Sequence, residues 1–342
     1  MSQTPTHPRY APGTHPDLPP PRRTTGVLGW VRMNLLSSPL NVALTLLSIW
    51  LLWTILPPSI HWLFTGAVWT AADRKECWAL MDAPRDGACW AFIRGSFELF
   101  VYGWYPEPER WRVNLTFILF IAAIVGGLRE NIPGKKYWLI FAAAYPFIAA
   151  WLLLGGFGLE PVGTNKLGGI LLTLVVAVTG ISFSLPLGIA LALGRRSNLP
   201  ALRGVCVIFI EFIRGVPLIT LLFVASTMLT YFLPPGSTFD LLMRVLIMVT
   251  LFASAYIAEV VRGGLQGLSS GQYEAADSLG LSYWKAHRLV ILPQALKISI
   301  PGIVNTFIGS FKDSTLVLII GMMDILGPVS YTHLTLPTNR EV

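Results

Sequence analysis

The chain has 342 residues, of which 54% are hydrophobic and only 13% charged, and its formal net charge is +7. Soluble domains carry about 25% charged residues, so this composition, with a mean hydropathy of +0.61, excludes an ordinary water-solvated globule and points to an all-α polytopic membrane protein. The basic excess does not call for nucleic acid, because the lysines and arginines are dispersed in short loops, where the positive-inside rule expects them on the cytoplasmic side.

Residues 1–25 are rich in proline, threonine and arginine without apolar periodicity, and read as a disordered cytoplasmic tail. Arg22, Arg23 and Arg32 precede the first long apolar run and set this end in the cytoplasm; that run begins too late, and lacks the small-residue site, for a cleavable signal peptide. The first span is expected over Leu40–Leu56, ended by Pro57-Pro58, and His61–Val68 is too short to cross alone, so it reads as interfacial or span-extending. A polar interval from Asp73 to Arg110 forms an outer loop containing Cys77 and Cys89, a candidate disulfide in a compartment where disulfides persist. The third cysteine, Cys206, reads as a packing residue, and the three together show no zinc or redox spacing. Val113–Leu128 and Tyr137–Leu154 are the next spans, with Arg129, Lys135 and Lys136 marking the cytoplasmic turn between them. These three spans and the loop make up an N-terminal extension, residues 26–164.

The fourth span, Leu167–Leu193, is longer than needed and is expected to be interrupted at Pro186. Arg195, Arg196 and Arg203 follow it on the cytoplasmic side, and Gly204–Ile213 is amphipathic, as for a helix lying at the surface. Pro217–Leu233 is expected to cross outward and turn at Pro234-Pro235-Gly236, and Leu241–Val261 to return. A polar cytoplasmic loop runs from Gly263 to Lys297, and the seventh span, Ile298–Leu326, is broken by Lys312-Asp313-Ser314-Thr315. Residues 331–342, starting at Tyr331, change character abruptly and are expected to be a non-native tail in place of a lost final helix; the alternative is a seven-span protein with a short outer tail.

Within the cytoplasmic loop, Gly271 is expected to open a short helix with Glu274 in its first turn, where the helix dipole favours an acid. Gly280 then supplies a left-handed stop, Ser282 an N-cap for a second helix, and Pro293 a break or kink at its far end. A compact helical knob on a membrane-protein loop is most simply a docking surface.

Glu274-Ala275-Ala276, Gly280, and after nine residues Val290-Ile291-Leu292-Pro293 resemble the cytoplasmic Glu-Ala-Ala (EAA) signature of bacterial ABC importer permeases, with Val290 in place of isoleucine. Glu211-x-x-Arg214-Gly215-Val216-Pro217-Leu218, Ala255-Tyr256-x-x-Glu259-x-x-Arg262-Gly263-Gly264 and Lys312-Asp313-Ser314-Thr315-Leu316 are similar to segments of the polar amino-acid group of that family. The extra N-terminal spans resemble the M-type permease of general L-amino acid transporters. The resemblance implies a MetI-like permease core over residues 165–330, preceded by extra transmembrane helices, in a bacterial inner membrane. It also implies an ATPase-coupling element made of Glu274, Ala275, Ala276, Gly280, Val290, Leu292 and Pro293.

The same resemblance implies partners: a cytoplasmic ABC ATPase dimer, a second permease completing a heterodimer, a periplasmic amino-acid-binding protein, and membrane lipid. The chain has no Gly-x-x-x-x-Gly-Lys-[Ser/Thr] phosphate loop, so it is expected to bind no cofactor, with ATP and magnesium on the separate ATPase and no enzymatic activity of its own. Glu211 with Arg214 and Glu259 with Arg262 are each spaced i, i+3 and read as structural ion pairs near span ends. Lys312 and Asp313, with Ser314 and Thr315, interrupt an apolar run. Ionisable groups there are costly and line a cavity or pair, so the four are candidate substrate-path residues, the alternative being an internal ion pair. Two other functions compete: a stand-alone ion-coupled secondary amino-acid transporter, for which no internal repeat is found, and a membrane enzyme, which the scattered histidines disfavour.

Overall fold

A computed structural model describes residues 26–71, 74–81, 86–232, 234 and 239–327. The expected tails 1–25 and 331–342, together with Asp73, Leu233, Pro235 and Gly236, lie outside the described residues. Among the described residues every regular element is helical, and the few β-bridges are isolated, as expected where backbone groups must be satisfied within each crossing segment.

The chain divides into two compact units between Gly95 and Ser96. In the first, α1 (Gly26–Asn34) leads to α2 (Pro39–Ile60), which Ser38 caps by accepting from the Asn41 N–H at 3.1 Å. The helix does not end at Pro57-Pro58 as expected: it runs through both and closes in a wide, i to i+5, turn over His61–Thr65. In apolar surroundings an interrupted helix leaves carbonyls without water, so the chain stays helical and relieves the proline clash in the turn. Beyond it lie α3 (Arg74–Ala79) and α4 (Trp90–Gly95). Cys77 is bonded to Cys89 in a disulfide with Cα atoms 6.2 Å apart. The Val68 N–H donates to the Ala88 carbonyl at 2.9 Å, the Ala88 N–H to Trp62 at 2.8 Å, and Trp90 Nε1 to Leu63 at 2.8 Å. Covalent and hydrogen bonding thus close a small loop that lacks a large core of its own.

The second unit begins with α5 (Phe97–Tyr102), α6 (Arg110–Leu128) and α7 (Lys135–Leu154). Lys135 folds back so that its Nζ donates to the carbonyls of Gly126 at 3.2 Å, Gly127 at 2.5 Å and Arg129 at 2.9 Å, placing a cation where the α6 dipole is negative. At the other end of this hairpin, the buried Arg112 pairs with Glu109 at 2.6 Å and donates to the Glu160 carbonyl at 2.6 Å. Tyr105 donates to the Leu153 carbonyl at 2.8 Å; burial pushes its hydroxyl above the ordinary value, keeping it a neutral donor.

The core follows as α8 (Gly169–Arg195), α9 (Pro200–Gly215), α10 (Leu218–Phe223), α11 (Leu229–Phe232) and α12 (Leu241–Gln266). Helix α8 is unbroken at Pro186, contrary to the expected interruption. Six helical stretches among the described residues are long and apolar enough to cross a bilayer. The expected fifth span is not one of them by itself: Leu218–Phe232 carries a wide turn at Val224–Met228 and falls short of the ~20 residues needed. It reaches that length only together with α9, to which it is bent by 102°. After α12 come α13 (Ser270–Ser278), α14 (Tyr283–Ala286) and α15 (Leu292–Asp313), the last continued by a 3₁₀ segment, Ser314–Ile320.

Helices α8 and α12 run parallel in close contact, Gly180 opposite Val249 and Gly188 opposite Ile257. Helix α15 returns antiparallel, with Gly264 against Ala295 and Ser299, and Gly302 against Val260. Small residues at such crossings let backbones approach, the main source of helix affinity where lipid is as apolar as leucine. A Cβ on Gly264 would sit 2.1 Å from Ser299 Oγ and 2.5 Å from the Ala295 carbonyl oxygen, whereas one on Gly263 meets nothing within 4 Å. Gly264→Ala is therefore expected to lower stability by about 1–3 kcal/mol through overpacking. Gly263→Ala should raise it by about 0.5–1 kcal/mol through helix propensity. Thermal unfolding of the two detergent-purified variants checks the opposite signs.

Candidate functional site

The Glu274 segment stands at the end of the second unit that carries Arg195, Arg196, Arg214, Arg262, Lys285 and Arg288. Helix α13 is capped by Ser269, two residues before Gly271, so Glu274 lies beyond the first turn and that turn holds no acid. The expected dipole contact of Glu274 is thus absent, and its carboxylate is exposed. The far end is a Schellman stop: Gly280 has φ +67°, its N–H donates to the Asp277 carbonyl at 2.9 Å, and the Leu281 N–H donates to Ala276 at 3.2 Å. Ser282 occupies the next N-cap position, with its carbonyl accepting from the Ala286 N–H at 2.8 Å.

The two alanines part company: Ala276 is buried against the chain's own fold, and Ala275 faces outward beside Glu274 and Asp277. Pro293 does not end the second helix. A wide turn at His287–Ile291 precedes it, and the helix continues into α15 with Pro293 in its first turn, where a missing N–H costs least. Val290 and Leu292 are half-buried on this continuous helix, and Pro293 is exposed. Two side chains strap α13 down. Gln294 Nε2 donates to Gln272 Oε1 at 2.8 Å, and the Tyr273 hydroxyl donates to the Leu265 carbonyl at 3.2 Å.

The two i, i+3 pairs form one network rather than two. Arg262 donates from Nε and Nη2 to Glu259 Oε2 at 3.0 and 2.8 Å, and Arg214 lies 4.0 Å from Glu211 and 3.7 Å from Glu259. The joining group is Arg195, whose Nη1 reaches Glu211 at 2.8 Å and Glu259 at 2.6 Å. Helices α8, α9 and α12 are thus tied by three guanidiniums and two carboxylates. In the sequence Arg195 is legible only as a topogenic charge, because spacing along one helix carries no information about partners on another. Tyr273 was likewise missed; its signal is that it is the one aromatic side chain on an otherwise small and polar helix.

Lys312 and Asp313 do not form the alternative internal pair: among the described residues neither has an ion-pair partner, and adjacent residues on a helix face different ways. Lys312 is exposed and Asp313 half-buried, ten residues past Gly302, which faces Val260. The antiparallel packing sets them about level with Thr250, well inside α12. Ser314 and Thr315 turn their hydroxyls onto the carbonyls of Phe311 and Lys312 at 2.7 and 2.9 Å. A separate cavity of about 670 Å³ lies between α7 and the α8–α12 pair, lined by residues such as Phe147, Leu171, Val178, Phe183 and Leu246 and by no charged side chain. A zwitterion would lose its hydration there without recompense.

Glu259 is the sink of the network, with only 14% of its side chain exposed, so Glu259→Ala leaves Arg262 without a carboxylate and Arg195 and Arg214 sharing Glu211 alone. A fully buried pair broken on one side costs 3–5 kcal/mol; with the arginines 21–35% exposed, about 2 kcal/mol is expected. Arg214→Ala, which removes the longest and most exposed contacts, should cost under about 1 kcal/mol. Thermal unfolding in detergent checks the ranking.

Residues 184–332 match the family described as binding-protein-dependent transport system inner membrane component. The inner membrane amino-acid ABC transporter permease protein YhdY of Escherichia coli is 49% identical over 92% of this chain and 85% of its own length. The glutamate/glutamine/aspartate/asparagine transport system permease protein BztC of Rhodobacter capsulatus is 43% identical over 91% of this chain and 86% of its own. A solved amino acid ABC transporter, crystallised with histidines, shares 34% identity over 46% of this chain and 72% of its own, with a TM-score of 0.42. With six apolar helices among its described residues, the chain belongs to the amino-acid ABC transporter permeases, multi-pass components of the inner membrane.

Proposed function

We propose that this permease subunit forms half of the translocation pathway of an ATP-driven importer of polar amino acids, and is coupled to a separate cytoplasmic ATPase through α13. The observation that carries the reading is α13 itself. It is a nine-residue helix that exposes Glu274, Ala275 and Asp277 to solvent while Ala276 and Tyr273 root it in the fold. An exposed acid beside an exposed small side chain suits close approach by a basic groove, with the charged contact giving specificity. The basic residues gathered at this end support its placement in the cytoplasm, with the N-terminus on the same side.

Without a phosphate loop the chain needs a partner to hydrolyse ATP. Amino acids would arrive from a periplasmic binding protein, and a second permease would complete the channel. That second permease also gives Lys312 a reason to be exposed at mid-depth, because a lysine facing hydrocarbon would be costly. Lys312 and Asp313 then offer opposite charges to the two ends of a zwitterion. A stand-alone secondary transporter would need neither α13 nor an ATPase.

The test is uptake by the complete importer in proteoliposomes. Gly280→Asp puts a Cβ at φ +67° and adds a charge beside α13, and is expected to abolish ATP-driven uptake while the subunit still inserts. Glu274→Lys should weaken ATPase retention about tenfold, the size of one reversed charge contact. Unchanged uptake by Gly280→Asp, or uptake driven by an ion gradient without ATP, would defeat the proposal.

A further inference from the structure

We propose that the consecutive arginines closing α8, Arg195 and Arg196, are the joint through which movement of α13 reaches α8, α9 and α12, with Tyr273 as the lever. This rests on the reading that α13 docks an ATPase, and adds which of the chain's residues carry the docking signal onward. Tyr273 directly precedes Glu274, and its ring packs on the buried cluster that includes Ala192, Ile257, Val261 and Leu265. Its hydroxyl accepts from Arg196 Nη1 at 3.1 Å, and the Arg196 guanidinium carbon lies 5.6 Å from the ring centroid. One residue earlier, Arg195 holds Glu211 on α9 and Glu259 on α12 through a single Nη1. Successive helical side chains point about 100° apart, so the end of α8 forks: one guanidinium goes to α13 and the other to α9 and α12.

Helix α12 is joined to α13 by the chain itself, through Gly267–Ser269, and would follow its movement regardless. Helix α8 has no such link. Among the described residues, Arg196 to Tyr273 is the hydrogen bond between α13 and α8. The contact is polar and stacked rather than interdigitated, so it can shift and re-form without opening a cavity in the core. Arg196 and Tyr273 are positioning residues: neither is required to touch the ATPase or the amino acid. They make the geometry at Glu259 depend on where α13 stands.

The experiment uses the complete importer, with ATPase, second permease and binding protein, and reads two quantities for Arg196→Ala, Arg196→Lys and Tyr273→Phe. These are ATPase retained on purification and amino acid imported per ATP hydrolysed. Retention should match the unsubstituted importer in all three. Import per ATP should fall about fivefold or more in Arg196→Ala and by less in Tyr273→Phe, the scale of a lost charge-assisted hydrogen bond. Arg196→Lys, which keeps a charge and donor but loses the stacked plane, should restore part of it.

Unchanged import per ATP in both Arg196→Ala and Tyr273→Phe overturns the joint. So does a loss of import matched by an equal loss of retained ATPase, since that would make these residues part of the docking surface. If Arg196→Ala does not accumulate in the membrane, Arg196→Gln, which keeps a side-chain donor without the charge, is read in its place beside Tyr273→Phe, whose hydroxyl also binds the Leu265 carbonyl. Failure of the underlying docking reading looks different: Glu274→Lys would then retain as much ATPase as the unsubstituted chain.

Discussion

Three guanidiniums converge on the carboxylates of Glu211 and Glu259 where α8, α9 and α12 come together. In a segment surrounded by apolar side chains, a lone charge would carry a desolvation cost that no packing contact offsets. Here each charge is partnered, Arg262 by Glu259 on its own helix and the others across helices, and the group sits near the ends of α8 and α12, where long side chains reach water. The network therefore contributes register more than raw stability. It sets the height and rotation at which the three helices meet, and α13 stands on the platform so defined.

Two packing rules carry the remainder of the second unit. Glycines at the α8–α12 and α12–α15 crossings let backbones approach where no water-driven force presses helices together. Helices continue through their prolines, at Pro57 and Pro58 in α2, Pro186 in α8 and Pro301 in α15, because an interrupted crossing would strand carbonyls in hydrocarbon. Wide turns at His61–Thr65 and His287–Ile291 take up the misfit beside the prolines of α2 and at the start of α15.

Much of the architecture was legible in the sequence, since hydropathy runs and charged loops are the features a bilayer selects. The stop at Gly280 was equally readable, because few residues but glycine accept a left-handed backbone there without strain. A rule taken from helices in water, where a break can be solvated, fails at Pro58 and Pro186, while before Pro293 the expected disruption takes the form of the wide turn at His287–Ile291. The N-cap of α13 lies two residues before Gly271 because Ser269, Ser270 and Gly271 are all acceptable there, and that shift removes Glu274 from the first turn. Arg195, Arg196 and Tyr273 could not be placed from spacing, since their partners lie on other helices. The substrate-path candidates were recognised as a break in polarity, but their failure to pair with each other needed the helix geometry.

Coupling requires that the outward face of α13 touch a separate ATPase. A photoactivatable side chain at Ala275, exposed beside Glu274, measures this directly in the assembled, transport-competent importer. A covalent adduct between the permease and its ATPase subunit is expected, stronger when the importer is held with ATP than without it. An importer that carries the probe, takes up amino acid normally and yields no ATPase adduct in either state would contradict it.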